Sequence, residues 1–379
     1  MEKFENRVYL SSPTMHGEEQ MYIKEAFDTN WVAPLGKNVN EFEKEVAHYI
    51  GCKDAAALVS GTSAIHLAIK LAGVKRDDIV LCSDLTFSAT VNPVLYEGAN
   101  PVFIDCEKYS WNMNPQALKA ALEKYNGREF PKPKAVVVAN LYGTPAKLDE
   151  IKSICDEYNI TLIEDAAESL GAKINGKQTG TFGKYNILSF NGNKIITTSG
   201  GGMLLSDDEE AIKKARFWAT QSREDYPWYE HKEIGYNYRL SNITAGIGRG
   251  QLLHLDEHIE LKRKIYKRYK EGLAELPITM NPYPENTEPN FWLSCMVIEK
   301  GCKTIPDMIR EKLAEYNVES RPIWKPMHMQ PIFQGKDFVT YGECVDEDIF
   351  ARGLCLPSDI KMTEEQQNIV MEMIKECFE

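Results

Sequence analysis

Short apolar runs, many of them β-branched, recur through the first two thirds of the chain. They cover residues 55–59, 79–82, 101–104, 135–140, 161–164, 186–190 and 202–206. Runs of this length predict strands, and those that are apolar at every position predict strands covered on both faces. Segments with the apolar spacing of a helix separate some of them, at residues 62–72, 148–158 and 208–220. This alternation predicts an α/β fold with a mostly parallel, seven-stranded sheet flanked by helices.

The pattern changes in the last third of the chain. One long helical stretch is predicted over residues 241–274, and the proline-rich segment 276–289 after it is typical of a boundary. A strand-like run at 291–298, a helix near 305–316 and a final amphipathic helix over 363–378 follow. We therefore predict a large domain of residues 1–255 and a smaller C-terminal α+β domain of residues 256–379, with the N-terminal helices partly associated with the small domain.

Charge and composition exclude several classes of protein. The chain has 44 Lys and Arg against 56 Asp and Glu, a formal net charge of -12, which is the wrong sign for general nucleic-acid binding. No apolar run approaches the roughly 20 residues of a membrane-spanning helix, and the first ten residues are charged where an export signal is apolar. We therefore expect a cytoplasmic protein without nucleic-acid or membrane partners. The nine scattered cysteines, without a C-x-x-C pair, are interpreted as reduced small apolar residues.

Residues 189–203 carry the strongest chemical signal. Lys194 follows a predicted buried strand and precedes the glycine run 200–202, so its stem can pack while its amine faces a cavity. A desolvated amine is less readily protonated, and it can act as a nucleophile, carry protons or form a Schiff base with a carbonyl group. A surface lysine in a glycine-rich loop is the alternative interpretation.

Three other segments can complete a site around this lysine. Asp165 stands at the end of a buried strand, where ligand-facing groups lie in open α/β sheets; it can pair with a protonated pyridine nitrogen or simply cap a helix. The turn 60–64 leads into a helix whose free N–H groups can hold a phosphate, although any capped helix looks similar. Phe87 can lie flat against a planar ring, but a core phenylalanine is the more frequent explanation.

Together with residues 9–13, 30–36, 321–328 and 353–358, these segments resemble the pyridoxal-phosphate-dependent nucleotide-sugar aminotransferases of the DegT/DnrJ/StrS family. The likeness covers essentially the whole chain, with three long motifs in the right order. Within the family it is similar above all to the branch that makes precursors of UDP-N-acetylbacillosamine. The resemblance implies fold type I, of the aspartate aminotransferase kind, and a homodimer whose subunits share active sites.

The resemblance also implies roles for individual residues. Lys194 carries pyridoxal phosphate as a Schiff base, and Asp165 binds the pyridinium nitrogen; these two are the predicted catalytic residues. Glu168 approaches the 3-oxygen of the ring, where many relatives have Gln or His. No metal is expected. The implied cofactor-binding residues are Gly61, Thr62, Ser63, Phe87, Asp165, Glu168, Ser189, Lys194 and, from the neighbouring subunit, Asn237.

The implied substrates are L-glutamate and a nucleotide sugar. The amino group goes to C4 of a UDP-4-keto-6-deoxy-N-acetylhexosamine, for bacillosamine-type glycan or exopolysaccharide synthesis. Alternatives are an aminotransferase for a GDP- or dTDP-4-keto-6-deoxy sugar, or a sugar dehydratase that uses pyridoxamine phosphate; that branch has histidine in place of Lys194. The expected substrate-binding residues are Asn30, Trp31, Val32, Ala33, Arg239, Arg321, Trp324, Lys325 and His328, with surface charges and packing indoles as the alternative reading.

Overall fold

A computed structural model describes residues 2–379, so Met1, part of the predicted first domain, lies outside the described residues. Its α-helices are α1 (Glu18–Asp28), α2 (Lys37–Ile50), α3 (Gly61–Leu71), α4 (Asn92–Tyr96), α5 (Pro115–Lys124), α6 (Leu148–Glu157), α7 (Glu209–Ala219), α8 (Asn242–Leu252), α9 (Leu255–Gly272), α10 (Pro306–Glu315), α11 (Val345–Arg352) and α12 (Glu364–Lys375). Short 3₁₀ turns occur at Ser88–Thr90, Leu141–Gly143, Met327–Met329 and Pro331–Phe333. Within residues 2–379, no helix is both long and apolar enough to cross a membrane.

The strands form three sheets. They are β1 (Asp54–Leu58), β2 (Ile79–Ser83), β3 (Asn100–Ile104), β4 (Ala135–Ala139), β5 (Thr161–Asp165), β6 (Lys173–Ile174), β7 (Lys177–Gln178), β8 (Tyr185–Ser189), β9 (Gly202–Ser206), β10 (Ile278–Met280), β11 (Thr287–Glu288), β12 (Ser294–Ile298), β13 (Arg321–Pro322), β14 (Phe338–Val339) and β15 (Gly353–Leu356). The largest sheet has the order β1-β9-β8-β5-β4-β2-β3-β14. Strand β9 is antiparallel to both neighbours, whereas the pairs from β8 through to β14 are parallel.

The seven strands predicted from apolar runs are all present in this sheet, which confirms the α/β fold class. An eighth strand, β14, pairs in parallel with β3, but its two residues are too few to produce a pattern in the sequence. Both faces of the sheet are covered. In β2, Val80 belongs to a core cluster with Ile69 of α3, whereas Leu81 belongs to another with Leu118 of α5. Burial on both faces explains why these strands are apolar at every position.

The C-terminal part forms a smaller α+β unit. Its antiparallel sheet has the order β10-β12-β15-β13 and packs against α9, α10 and α12 through a core that includes Tyr269, Leu313 and Ile374. The proposed boundary between residues 255 and 256 falls in the first turn of α9 and stays a prediction.

The prediction of one helix over residues 241–274 is wrong, because the structure has two helices, α8 and α9, with Leu253 and His254 between them. Helix α8 packs closely on α1. A Cβ atom on Gly250 would lie 2.6 Å from the backbone nitrogen of Glu19, so glycine is needed for this approach. The glycines of α8 therefore serve helix packing.

Candidate active site

A cavity of about 350 Å³ lies where the parallel strands β4, β5 and β8 end. This is the edge at which open α/β sheets bind their ligands. The cavity brings together eight of the predicted site residues from segments far apart in the chain. These are Gly61, Thr62, Phe87, Asp165, Glu168, Ser189, Lys194 and Trp324.

The amine of Lys194 is held inside this cavity by one carboxylate and one indole. Its Nζ lies 3.3 Å from Oε1 of Glu168 and 4.2 Å from the centroid of the Trp292 ring. The indole N–H of Trp292 donates to the carbonyl of Asn193 at 2.7 Å, so the same side chain also fixes the backbone before Lys194. Charge pairing and the cation–π contact together orient the amine.

Two buried carboxyl groups face this amine. Oδ2 of Asp165 accepts a hydrogen bond from the Thr90 hydroxyl at 2.7 Å. Oε2 of Glu168 accepts the backbone N–H of Tyr142, also at 2.7 Å. Burial raises the pKa of both carboxyl groups above their ordinary values, and the positive charge of Lys194 opposes this rise. The site therefore holds two carboxyl groups of different environment around one amine.

The part of the cavity next to the N-terminus of α3 can bind an anion. Ser60 caps α3: its hydroxyl accepts the N–H of Ser63, whose own hydroxyl donates back to the Ser60 carbonyl at 2.7 Å. Ser63 is thus used within the cap and does not line the cavity. The N–H groups of Gly61 and Thr62, in the first helical turn, have no intrahelical acceptor and can bind an anion. The hydroxyl-bearing Ser189 lines the same end.

An aromatic wall closes one side. Phe87 is 54% exposed, and its ring centroid lies 5.4 Å from that of Trp324. The Tyr142 hydroxyl accepts the backbone N–H of Trp324 at 3.1 Å. Tyr142 has a left-handed backbone with φ of 52°, which is uncommon for a bulky residue. One buried tyrosine therefore contacts Glu168 through its backbone and the wall through its hydroxyl.

Three of these residues are not indicated by the sequence. Thr90 lies in the segment that contains Phe87, at the end of the turn Ser88–Thr90, and its contact with Asp165, 75 positions away, has no local signal. Trp292 follows the proline-rich segment, and nothing in the sequence indicates that it reaches Lys194. The positive φ of Tyr142 has no signature in the sequence, because glycine and asparagine are the residues that usually mark such positions.

The remaining predicted residues do not reach this cavity within the described chain. Arg239 is buried and donates to Glu43 and to the carbonyl of Ala57. Both ring nitrogens of His328 bind carboxylates, those of Asp84 and Glu347. Arg321 lines an adjacent cavity of about 380 Å³, which shares Asn193, Trp292 and Trp324 with the first. The other six predicted residues lie outside the cavity lining. Ala33 and Lys325 are half-buried, and the four exposed ones are Asn30, Trp31, Val32 and Asn237.

Comparison with known proteins identifies the family. A model of the DegT/DnrJ/EryC1/StrS aminotransferase family matches residues 13–375. The chain belongs to this family. EpsN of Bacillus subtilis, provisionally named a pyridoxal phosphate-dependent aminotransferase, is 53% identical to this DegT-family chain over 375 residues, covering 98% of it and 96% of EpsN.

Two other relatives and one solved structure are informative. GDP-perosamine synthase of Caulobacter vibrioides is 34% identical over 362 residues, covering 94% of this chain and 95% of the synthase. A UDP-4-amino-4,6-dideoxy-N-acetyl-beta-L-altrosamine transaminase of Campylobacter jejuni is 38% identical over 236 residues, covering 62% and 61% of the two chains. A solved DegT DnrJ EryC1 StrS aminotransferase of Brucella abortus matches with a TM-score of 0.89 at 26% identity, covering 95% of each chain.

As a DegT-family member, the protein is a pyridoxal phosphate-dependent aminotransferase, which confirms the predicted enzyme class and cofactor. The cavity fits this cofactor. The free N–H groups of α3 match a phosphate, a buried carboxyl group matches a pyridine nitrogen, and an amine matches an aldehyde. Gly202 keeps the anion site compact, because a Cβ atom there would lie 2.3 Å from the carbonyl carbon of Ser60.

Proposed function

We propose that this enzyme transfers the amino group of L-glutamate to C4 of a UDP-4-keto-6-deoxy-N-acetylhexosamine. The product is a UDP-4-amino-4,6-dideoxy-N-acetyl sugar for bacillosamine-type glycan or exopolysaccharide synthesis. The observation that carries the proposal is the convergence of Lys194, Asp165 and the N-terminus of α3 on one cavity. A cytoplasmic location stays a prediction.

The contacts support the proposed roles. When bound, pyridoxal phosphate supplies an electron sink for the carbon that gains or loses the amino group. Asp165 keeps the pyridine nitrogen protonated, and Thr90 orients this carboxyl group. Lys194 is the base that removes, and the acid that returns, the proton at the reacting carbon. Glu168 holds the Lys194 amine at 3.3 Å and is the group assigned to the 3-oxygen of the ring.

The groups proposed to bind the cofactor lie at the edges of the cavity. The N–H groups of Gly61 and Thr62 and the hydroxyl of Ser189 hold the phosphate, and Phe87 covers the ring. Ser63 acts through the cap of α3. Asn237 is exposed, and its side-chain oxygen accepts a hydrogen bond from the Gln221 amide at 3.1 Å. It is assigned to the phosphate of a second subunit in a homodimer.

The sugar-binding part of the proposal has one structural support. Trp324 lies at the cavity and Arg321 in the adjoining one, so these two can contact a long substrate from the same side. We keep Asn30, Trp31, Val32, Ala33 and Lys325 as proposed contacts of the nucleotide sugar at the outer surface. For His328 and Arg239 we propose indirect roles, because their polar atoms are bound to carboxylates of the same chain.

The nucleotide of the substrate is the part of the proposal for which a second candidate, GDP, has support. The similarity to the Campylobacter transaminase favours a UDP sugar, but it covers 62% of this chain. The similarity to GDP-perosamine synthase covers 94% and favours a GDP sugar. A dehydratase is disfavoured because Lys194 is present. Initial rates with UDP-, GDP- and dTDP-linked 4-keto-6-deoxy sugars distinguish these candidates, and a preferred GDP or dTDP substrate would overturn our choice.

The role of Lys194 is tested with Lys194→Ala. Borohydride reduction should fix pyridoxal phosphate covalently to the wild-type chain and not to the variant, while both bind the cofactor. Lys184→Ala is the matched control, because Lys184 is exposed and is not part of the cavity lining. In wild type, the visible band of the bound cofactor should be lost with L-glutamate and restored by the keto sugar. Normal transamination by Lys194→Ala would refute the assignment.

A further inference from the structure

Two cysteines face each other across a pair of buried strands. Cys295 of β12 and Cys355 of β15 are directly opposite in the antiparallel register, and their Sγ atoms lie 3.5 Å apart. Directly opposed residues in such a pair have Cα atoms about 4.5 or 5.5 Å apart. Both values lie within the range of about 4.4–6.8 Å that a disulfide spans. The backbone is therefore already in a disulfide-compatible position, and only the side chains must move.

The two thiols differ in their access to small molecules. Cys355, although only 1% exposed to bulk solvent, lines the cavity of about 380 Å³ that also contains Arg321 and Trp324. Cys295 is fully buried, and burial raises its pKa well above the ordinary value. A buried, protonated thiol is a poor first nucleophile. Cys355 is consequently the thiol that an incoming oxidant meets first, and Cys295 is the one that follows.

We propose that Cys295 and Cys355 form a reversible disulfide when the enzyme meets a small disulfide compound. In the first step the Cys355 sulfur attacks the reagent, its S–H proton goes to solvent, and one thiolate of the reagent leaves. In the second step the Cys295 sulfur loses its proton, attacks the Cys355 sulfur of the mixed disulfide, and displaces the second reagent thiolate. Two protein thiols are oxidised and one reagent disulfide is reduced to two thiols.

The pair lies directly behind the active-site wall. Tyr142, Cys295 and Cys355 belong to the same buried core cluster. Burial, and then the neighbouring thiols of Cys355 and Cys295, raise the pKa of Tyr142 well above its ordinary value. The same hydroxyl accepts the backbone N–H of Trp324. The proposed bond thus forms next to the residue that joins Glu168 to Trp324, within the enzyme core and away from its outer surface.

The test counts thiols in the full-length enzyme with its cofactor bound. After incubation with cystamine, removal of the reagent and unfolding, seven of the nine cysteines should react with a thiol reagent, and dithiothreitol should restore all nine. Peptide mapping should find residues 295 and 355 in one cross-linked fragment. Nine free thiols after treatment, or a loss that maps to other cysteines, would overturn the proposal.

Single variants resolve the order of the two steps. Cys295→Ala should keep one reagent molecule attached to Cys355, because no second thiol displaces it. Cys355→Ala should retain all eight remaining thiols. Cys155→Ala, which removes a buried cysteine of α6, is the control and should still lose two. Should the core variants fail to fold, the peptide map of the wild-type enzyme alone decides the outcome.

Discussion

Replacing Lys262 by methionine should stabilise the protein at neutral and acidic pH. Lys262 lies in α9 with only 3% of its surface exposed. Its Nζ donates to the carbonyl of Ser358 at 2.7 Å and to the hydroxyl of Ser11 at 3.1 Å, and both acceptors are uncharged. Burial lowers its pKa from 10.5 to about 7. The folded protein therefore pays a free-energy cost whenever this amine is charged.

The size of the effect follows from the two pKa values. The difference between the unfolded value of 10.5 and the folded value of about 7 corresponds to about 5 kcal/mol. Because the folded pKa is the lower one, the full cost is present below pH 7 and disappears as pH rises toward 10.5. Methionine removes this cost but leaves the carbonyl of Ser358 without its donor, which costs roughly 1–3 kcal/mol. Lys262→Met should thus gain about 2–4 kcal/mol below pH 7, by the same balance.

Urea unfolding of both proteins from pH 6 to pH 9 measures this gain. It should shrink by about 1.4 kcal/mol per pH unit above pH 7, because the folded protein there binds fewer protons than the unfolded chain. Lys264→Met is the matched control on the same helix, since Lys264 is exposed and its replacement should have a small, constant effect. If Lys262→Met were destabilised by the same amount at every pH, Lys262 would be a stabilising cation and the reasoning from burial would be wrong.

Two further predictions concern the cavity. Gly202→Ala should raise the dissociation constant of pyridoxal phosphate at least about tenfold (roughly 1.4 kcal/mol) in an absorbance titration, because the new Cβ would overlap the backbone of Ser60. Gly192→Ala, whose Cβ has only a contact at 3.9 Å, should bind normally. Tyr142→Phe removes the acceptor of the Trp324 N–H and should raise KM for the keto sugar roughly 5- to 150-fold, as a loss of about 1–3 kcal/mol implies, without changing cofactor affinity. A variant with weakened cofactor binding and an unchanged KM would contradict this.

The cofactor end of the site was accessible to prediction because its signals are local. A strand that ends at Asp165 and a capped turn before α3 can each be recognised within a few residues, and parallel strands bring their ends to one edge. The contacts of Lys194 were not accessible in this way. Its neighbour Trp292 is 98 positions away in the sequence, and no period or spacing relates the two. Chain topology alone joins them, so a single sequence without the fold cannot reveal the pair.

Side-chain roles inside the 321–328 motif show why a matching motif does not fix where each residue points. Arg321 and Trp324 line cavities, but His328 turns away. Asp84 lies directly after β2; its carboxylate accepts the backbone N–H of His328 at 2.8 Å and also binds the His328 ring. Burial lowers the pKa of His328. The hydrogen bonds and charges of Asp84 and Glu347 have the larger combined effect, so the pKa of His328 is raised above its ordinary value.

The contacts between Asp84 and His328 give the C-terminal end of the 321–328 motif a structural role. Asp84 belongs to the loop that carries Phe87, and its carbonyl also accepts the N–H of Met327 at 3.0 Å. The same loop thus holds both members of the aromatic pair, Phe87 directly and Trp324 through the residues that follow it. When His328 is protonated, its contact with the buried Asp84 carboxylate resists separation, since parting the pair leaves an uncompensated charge. We therefore interpret His328 as the residue that keeps the segment of Trp324 attached to the loop that carries Phe87.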